Sequence, residues 1–215
     1  MDKKIIVARY NEDVSWTKHI DFAKVIIYNK GEDEIPGAIP LPNVGRESGT
    51  YLRFIIDNYD DISPSTLYFF TQGNPFVHGV DVQRIRDTYT PCSLGQISWL
   101  ESTIGVSNKY FPSGLPVKEF CEMVFVDSPF GEENSHVING GAIFSTYGLN
   151  IKNRCKEFYE FLNMYAQSLN PLEGHVMERI WRYILFTNVK DKITEYSKKR
   201  KVFVRNASWN GIKID

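Results

Sequence analysis

Cysteine is scarce in this sequence of 215 residues, and its three cysteines show no CxxC spacing. A zinc knuckle or a redox motif is therefore disfavoured, and the odd count indicates reduced thiols in a cytoplasmic protein. Long apolar runs are also missing, since none approaches the roughly 20 residues that cross a bilayer. The four apolar residues after Lys4 are too few for a signal peptide. We expect a soluble cytoplasmic protein with no membrane span.

Neither sign of charge dominates, because 25 lysines and arginines balance 26 acidic residues and leave a net charge of −1. Without a positive field to attract phosphate backbones, we expect no binding of nucleic acid. An apolar content of 42% with so little net charge excludes a disordered chain. We expect a single domain over residues 1–215, and the sequence leaves open that this domain belongs to a longer protein.

Several motifs of defined chemistry are missing. No GxGxxG turn follows the first predicted strand, where Arg9, Tyr10 and Asn11 stand instead, so a dinucleotide-binding Rossmann site is disfavoured. The patterns GxxxxGK[ST], HExxH and GxSxG are also missing from the sequence. Their absence argues against a P-loop nucleotidase, a zinc protease of that type and an α/β-hydrolase.

Aromatic residues are abundant, with 14 Phe, 12 Tyr and 4 Trp. Such side chains bury large areas and also stack on flat ligands such as bases and sugars. Those at strand or helix spacing are predicted to lie in the core, namely Phe54, Tyr59, Phe69, Phe144, Phe158, Phe161 and Trp181. Those in predicted loops are candidates for stacking, namely Tyr10, Phe76, Trp99, Tyr110, Phe111 and Phe130.

Short apolar runs alternate with amphipathic stretches at the start of the chain. They predict strands over 4–8, 23–28 and 67–70, with helices over 14–22 and 47–59. This rhythm predicts an α/β fold whose central, mostly parallel sheet is flanked by helices. Further along, we predict helices over 82–86, 94–104, 151–168, 172–186 and 190–201, and strands over 122–126 and 142–145.

Polar residues directly after the predicted strands are candidate ligand contacts, because open parallel sheets bind ligands beyond the carboxyl ends of their strands. Arg9 offers a cation for phosphate, Tyr10 a ring for stacking and Asn11 an amide for a base edge. Asn29 has the chemistry to hydrogen-bond a uracil edge. Each has an ordinary alternative as an exposed strand-end or turn residue.

Arg46 stands at the start of a predicted helix, where a cation and free backbone N–H groups suit a diphosphate. Its alternative is a surface arginine in a capping loop. Gln72, Gly73, His78 and Asp81 follow the third predicted strand. Imidazole and carboxylate are acceptable ligands for manganese, so we expect a divalent cation held weakly by His78 and Asp81 and mainly by a bound diphosphate. A structural role for His78 stays open.

Two further segments are candidates for contacts with a ligand or substrate. The residues Asn139, Gly140 and Gly141 offer bare backbone to a ligand, or else form a tight turn. Glu173 lies in the first turn of a predicted helix, where the helix dipole lowers a carboxylate pKa. It is a candidate base for a sugar hydroxyl, or else a helix-capping residue. Asp127, Glu132 and Glu133 are alternative carboxylates.

Four stretches together resemble a group of small GT-A-type glycosyltransferase domains, among them domains that glycosylate the capsid protein of chlorella viruses. The stretches are 5–12 (IIVARYNE), 43–61 (NVGRESGTYLRFIIDNYDD), 69–78 (FFTQGNPFVH) and 139–145 (NGGAIFS). The resemblance covers most of the chain, to about Phe186. It implies a GT-A-like single domain that binds a nucleotide-sugar, usually with Mn²⁺ or Mg²⁺, in the host cytoplasm if the protein is viral.

The resemblance also implies roles for individual residues. Arg9, Tyr10 and Asn29 resemble a uridine site and Arg46 a diphosphate clamp. The segment 139–141 resembles the cradle of the donor sugar, and Glu173 lies where inverting members keep their base. The Asp-x-Asp metal motif is replaced here by Thr71, Gln72 and Gly73.

The function implied is transfer of a hexose or deoxyhexose from a UDP-sugar to a hydroxyl of a glycan or glycoprotein, by inverting displacement. Residues 1–80 are expected to bind the nucleotide, 81–186 the acceptor and donor sugar, and 187–215 to form a basic helix and strand. Retention of configuration stays open. A non-catalytic nucleotide-sugar or carbohydrate-binding module is the main alternative; a nucleotidyl- or phosphotransferase and a purely structural domain are the others.

Overall fold

A computed structural model describes residues 2–78, 80–88, 97–99, 117–127, 142–167, 171–185 and 189–199, with backbone alone at 78, 84, 88, 97–99, 118 and 171–173. The strands are β1 (Lys3–Arg9), β2 (Lys24–Asn29), β3 (Ile39–Pro40), β4 (Leu67–Gln72), β5 (Ile97–Trp99) and β6 (Phe144–Tyr147). The helices are α1 (Arg46–Asp57), α2 (Val82–Thr88), α3 (Val117–Val124), α4 (Gly148–Lys152), α5 (Lys156–Ala166), α6 (Pro171–Leu185) and α7 (192–199). Short 3-10 turns cover Ser15–His19, Tyr59–Asp61 and Pro75–His78.

The strands form one sheet in the order β3-β2-β1-β4-β6-β5. The first four strands of that order run parallel, and β6 runs antiparallel to both of its neighbours. The predicted α/β class, with a mostly parallel sheet flanked by helices, is confirmed. None of the described helices combines the length and apolarity that crossing a membrane requires.

Both faces of the sheet are buried, which explains the unbroken apolar runs in β1 and β4. Successive side chains of a strand point to opposite faces, so Ile6 joins the cluster under α1, α3, α5 and α6, whereas Ile5 joins the other cluster. That second cluster contains Trp16 and is covered by the first 3-10 turn and α2. Of the predicted core aromatics, five are buried and Tyr59 and Phe161 pack against the core.

Two predicted elements are of the wrong type, and one strand was not predicted. Residues 122–126 are not a strand: Val117, Phe120, Cys121 and Val124 recur at helical spacing and form the buried face of α3. The predicted helix 94–104 contains strand β5, which pairs with β6. Residues 36–42, which contain three prolines, include the unpredicted strand β3, paired with the end of β2. For β3 and β5, pairing with a neighbouring strand decided the structure of a short segment whose local pattern was ambiguous.

The predicted helix 151–168 is interrupted between α4 and α5 at 153–155. Arg154 turns inward at this break and donates to the carbonyl oxygens of Tyr183 and Ile184 at the end of α6, at 3.1 and 3.0 Å. It also pairs with Asp191 at 3.0 Å. The predicted helix 190–201 is present as α7, and the buried side chains of Asp191 and Thr194 attach it to the core.

Candidate functional site

The predicted ligand-binding segments meet at one edge of the sheet. Arg9, the last residue of β1, lies opposite Asn29, the last residue of β2. On the other side, Ala8 lies opposite Gln72 at the end of β4. Parallel strands therefore bring segments that are 20 to 64 residues apart in sequence to the same edge, as the βαβ pattern predicted.

A cavity of about 290 Å³ opens between this edge and the start of α1. We call it the Arg46 cavity. It brings together three of the predicted site residues, Arg9, Tyr10 and Arg46. Its remaining lining residues are Ala8, Glu12, Lys30, Asn43 and Glu47. Asn11 and Asn29 line two neighbouring cavities.

Arg9 and Asn29 are engaged by the protein itself. The Arg9 guanidinium forms two hydrogen bonds of 2.7 Å with the Asp33 carboxylate, and Nη1 also donates to Asn29 Oδ1 at 2.7 Å. Asn29 Nδ2 donates to the Asp33 carbonyl at 2.6 Å. The hydrogen bonds from Arg9 hold the pKa of Asp33 below its usual value. Both residues therefore fix the loop after β2, and Arg9 forms a wall of the cavity.

Gly31 allows this loop to pack against the segment after β1. A Cβ atom at Gly31 would lie 2.0 Å from the Tyr10 carbonyl oxygen and 2.8 Å from Asn11 Oδ1. The nearer contact is with backbone, which a rotamer change cannot relieve. The close approach of the two loops therefore requires glycine here.

Replacing Gly31 is expected to open this edge of the site. Gly31→Ala forces the two loops apart, and overpacking of this kind costs about 1–3 kcal/mol of unfolding free energy. Urea denaturation measures the loss. Glu32→Ala, an exposed neighbour, is the control and is expected to change stability by less than about 0.5 kcal/mol. Equal stability of the two variants would contradict the close packing.

Lys30 is a second buried cation of the Arg46 cavity besides Arg9, with 9% of its surface exposed. Its ammonium donates to the Val44 carbonyl at 2.6 Å and to the Arg46 carbonyl. Burial lowers the pKa of Lys30 to about 8, and the carboxylate of Glu47 opposes that shift. An unfolded chain retains the proton up to higher pH. The destabilisation that results from burying this charge is therefore present below pH 8 and diminishes as pH rises from about 8 to 10.5.

Lys30 holds a turn of unusual backbone geometry. Gly45 and Arg46 both lie in the left-handed region, with φ of 68° and 47°. This conformation is uncommon for arginine and is found where the surrounding structure enforces it. The two carbonyls that accept from Lys30 flank Gly45, so the ammonium secures the turn that presents Arg46.

The Arg46 side chain lies against the first turn of α6. A Cβ atom at Gly174 would be 2.6 Å from Arg46 Cδ and 2.8 Å from its Cγ, so the arginine stem passes over the glycine. Glu173 is the residue before Gly174, and its side chain lies outside the described residues. The fold thus brings the predicted diphosphate clamp next to the helical turn that carries the predicted base.

Polar groups continue from this point between α1 and α6. The Tyr51 hydroxyl is buried and has no hydrogen-bond partner among the described residues. Burial raises the pKa of Tyr51 well above its usual value, and the Glu47 and Glu178 carboxylates add to the rise. Glu178 lies 3.5 Å from Arg179 and 3.6 Å from His175. The sequence allowed the Glu178–Arg179 pair to be either at a helix surface or buried, and both side chains are partly buried.

The end of β4 packs on the loop after β1. A Cβ atom at Gly73 would lie 2.7 Å from Glu12 Oε2, and Trp16 Nε1 donates to the Gly73 carbonyl at 2.9 Å. Gln72 Nε2 is buried and donates to no group among the described residues. Gln72 and Gly73 therefore lie beside the Arg46 cavity without lining it.

The remaining predicted contacts are less defined. His78 ends a 3-10 turn, with its side chain outside the described residues, and Asp81 is exposed just before α2. In the described part of the chain, no three His, Cys, Asp or Glu side chains converge as metal ligands. His78 and Asp81 stay predictions, and we assign no step to a metal. Asn139, Gly140 and Gly141 lie outside the described residues.

Residues 5–88 match a family of proteins of unknown function (DUF3431). The match spans less than half of the chain and contains every residue that lines the Arg46 cavity. No curated protein matches the sequence. The fold is similar to the crystal structure of Francisella tularensis 2-C-methyl-D-erythritol 4-phosphate cytidylyltransferase (IspD), with 11% identity and a TM-score of 0.43, covering 83% of this chain and 86% of that one.

Proposed function

We propose that this chain is a glycosyltransferase that moves a hexose or deoxyhexose from a UDP-sugar to a hydroxyl of a glycan or glycoprotein. The observation that carries the proposal is the Arg46 cavity, where Tyr10, Lys30 and Arg46 converge beyond the carboxyl end of β1. An aromatic ring beside two cations suits a nucleoside diphosphate. The choice of sugar transfer over other reactions of such donors rests on the sequence resemblance.

The cavity suggests how the donor binds. The Tyr10 ring is 47% exposed and is available to stack on the base. Arg46 and Lys30 meet the diphosphate where α1 begins, and the positive end of the helix dipole adds to their attraction. Arg9 and Asn29 act indirectly, because they hold the loop that forms the neighbouring wall.

The proposed reaction is one displacement at the anomeric carbon. A carboxylate, assigned to Glu173, takes the proton of the acceptor hydroxyl as its oxygen bonds to that carbon. The bond from the anomeric carbon to the phosphate oxygen breaks, and its electron pair leaves with the UDP. Arg46 and Lys30 stabilise the charge that develops on this diphosphate. A single attack from the opposite side inverts the configuration.

Calorimetric titration with UDP tests the donor site. Wild type is expected to bind UDP, and Arg46→Ala to bind it about tenfold more weakly, because a charge-assisted hydrogen bond is lost. Arg53→Ala is a matched control, since both arginines are on α1 and their side chains are 46% and 49% exposed. Failure of wild type to bind UDP would overturn the proposal, as would equal weakening by both substitutions.

The affinity for UDP is expected to fall as pH rises above about 8, where the free protein loses the charge on Lys30. A bound diphosphate favours the charged ammonium and raises its pKa, so binding takes up a proton in this range. The UDP phosphates have a second pKa of ~6, so they do not titrate above pH 8. Titrations at several pH values measure the decline. Lys30→Met is expected to remove it, and a decline of equal size in this variant would contradict the assignment.

The alternative is a non-catalytic module that binds a nucleotide-sugar. The replacement of the Asp-x-Asp motif by Thr71, Gln72 and Gly73 favours this reading. It predicts UDP binding with the same dependence on Arg46 but no release of UDP from any UDP-hexose, with or without Mn²⁺ and acceptor glycans. A coupled assay for released UDP separates the two functions.

A further inference from the structure

A second cavity, of about 300 Å³, shares Lys30 with the Arg46 cavity and is otherwise lined by different residues. The turn after β3 and helices α1 and α5 form its walls. Lys30 and Arg53 line it as cations, Asn163 and Gln167 contribute amides, and Leu41 and Val44 contribute apolar surface. We call it the Lys30–Arg53 cavity.

The charged side chains among the described lining residues of this cavity, Lys30 and Arg53, are both cations, and no aspartate or glutamate is among those residues. Two carboxylates outside the lining act on them. Asp57 accepts from Arg53 Nε at 2.8 Å and leaves the rest of that guanidinium for a second partner, and Glu47 acts on Lys30 electrostatically. The Arg46 cavity differs, since Glu12 and Glu47 line it together with its cations. An anion is therefore the kind of ligand that the second cavity favours.

Lys30 makes this a built site and distinguishes it from a surface hollow. Its side chain is buried, and its bonds to the Val44 and Arg46 carbonyls use two of the three ammonium N–H donors. Gly49 keeps the approach open, because a Cβ atom there would lie 2.8 Å from the Val44 carbonyl and 3.4 Å from Lys30 Nζ. A glycine inside a helix is otherwise unfavourable, so its presence under the ammonium is consistent with a need for space.

We propose that the Lys30–Arg53 cavity binds a small organic anion, a carboxylate or phosphate carried on a compact apolar body. The anion contacts the Lys30 ammonium and the Arg53 guanidinium, and the apolar body packs on Leu41 and Val44. The volume is at the low end of ligand pockets, which limits the body to about the size of one ring. This site shares Lys30 with the proposed donor site, but its other lining residues differ, and anion binding here does not require glycosyl transfer.

Benzoate, phenyl phosphate and the neutral benzyl alcohol are suitable probes for the full chain, followed by ¹⁵N-resolved NMR. At least one of the anions is expected to shift the amide signals of Gly49, Arg53 and Gln167, and to bind about tenfold more tightly than the alcohol. A response to phenyl phosphate alone assigns the site to phosphates, and one to benzoate alone assigns it to carboxylates. Equal binding of the alcohol, or no shift of these signals at millimolar probe, would overturn the proposal.

Matched arginine variants make the test specific. Arg53→Met is expected to weaken anion binding about tenfold. Arg86→Met is the control, because Arg86 is also partly exposed and paired with an aspartate, Asp21, at 2.7 Å, but lies outside the cavity. Equal effects of the two substitutions would overturn the proposal. Since UDP affinity depends on Arg46 and anion affinity on Arg53, failure of one site is distinguishable from failure of the other.

Discussion

Asp191→Ala is expected to lower the free energy of unfolding by about 3–5 kcal/mol, because it leaves the buried Arg154 guanidinium without its countercharge. Arg154 is 4% exposed and Asp191 is fully buried, and their atoms Nη1 and Oδ2 are 3.0 Å apart. The other Asp191 oxygen accepts from the Thr194 backbone N–H at 2.6 Å. The substitution therefore removes both the ion pair and the bond that starts α7.

Urea denaturation of the whole chain measures this effect. Glu195→Ala is the matched control on the same helix, since Glu195 pairs with Lys198 at 2.9 Å on the surface, and exposed pairs contribute about 0–1 kcal/mol. The double variant Arg154→Met with Asp191→Ala is expected to lose less unfolding free energy than the two single variants lose in sum, because the double variant buries no unpaired charge. If Asp191→Ala and Glu195→Ala had the same free energy of unfolding, the anchoring role of Asp191 would be contradicted.

Glu173→Gln is expected to lower turnover about 10²–10⁴-fold with unchanged UDP affinity, if the proposed function holds. The amide has the size of the carboxylate but cannot accept the proton of the acceptor hydroxyl. The position is supported by the Arg46 stem, which lies against Gly174 in the same helical turn. Turnover is measured as UDP released in the presence of acceptor, and UDP affinity by calorimetry.

Glu119→Gln is a close control for that experiment. Glu119 is exposed and is the third residue of α3, as Glu173 is the third residue of α6. Glu119→Gln also removes one negative charge from the first turn of a helix, so it shows what that loss alone does to turnover. We expect turnover to be unchanged in this variant. Normal turnover in Glu173→Gln would exclude this residue as the base and transfer that role to Asp127, Glu132 or Glu133.

The strands and helices that were predicted correctly are those whose residue pattern suits only one kind of secondary structure. β1, β2 and β4 are apolar runs bounded by polar or glycine-containing segments, and α1 carries Tyr51, Phe54 and Ile55 on one face. The segments that were wrong have two interpretations. Residues 123–126 are a continuous apolar run that suits a strand. The helical spacing from Val117 to Val124 nevertheless makes 123 and 124 the end of α3, and 125 and 126 follow that helix.

The sequence predicted where the candidate site lies better than it predicted which residues form it. Tyr10 and Arg46 line the Arg46 cavity, as their positions after a strand and at a helix start suggested. Lys30 was not predicted, although it follows Asn29 directly, because the sequence contains no sign that its ammonium turns inward. Its role depends on the carbonyls of Val44 and Arg46, which are 14 and 16 residues away.

The sequence by itself determined the α/β class and the edge of the sheet at which polar residues gather, because buried runs and the polar residues after them are local features. The tertiary structure decided which of those polar groups remain available to a ligand. Register places Arg9 beside Asn29 and Asp33, whose oxygens engage its guanidinium. Burial at the start of α1 makes Lys30 the cation shared by two cavities. Hydrogen-bond partners and desolvation depend on residues far apart in the chain, so only the folded arrangement sets them.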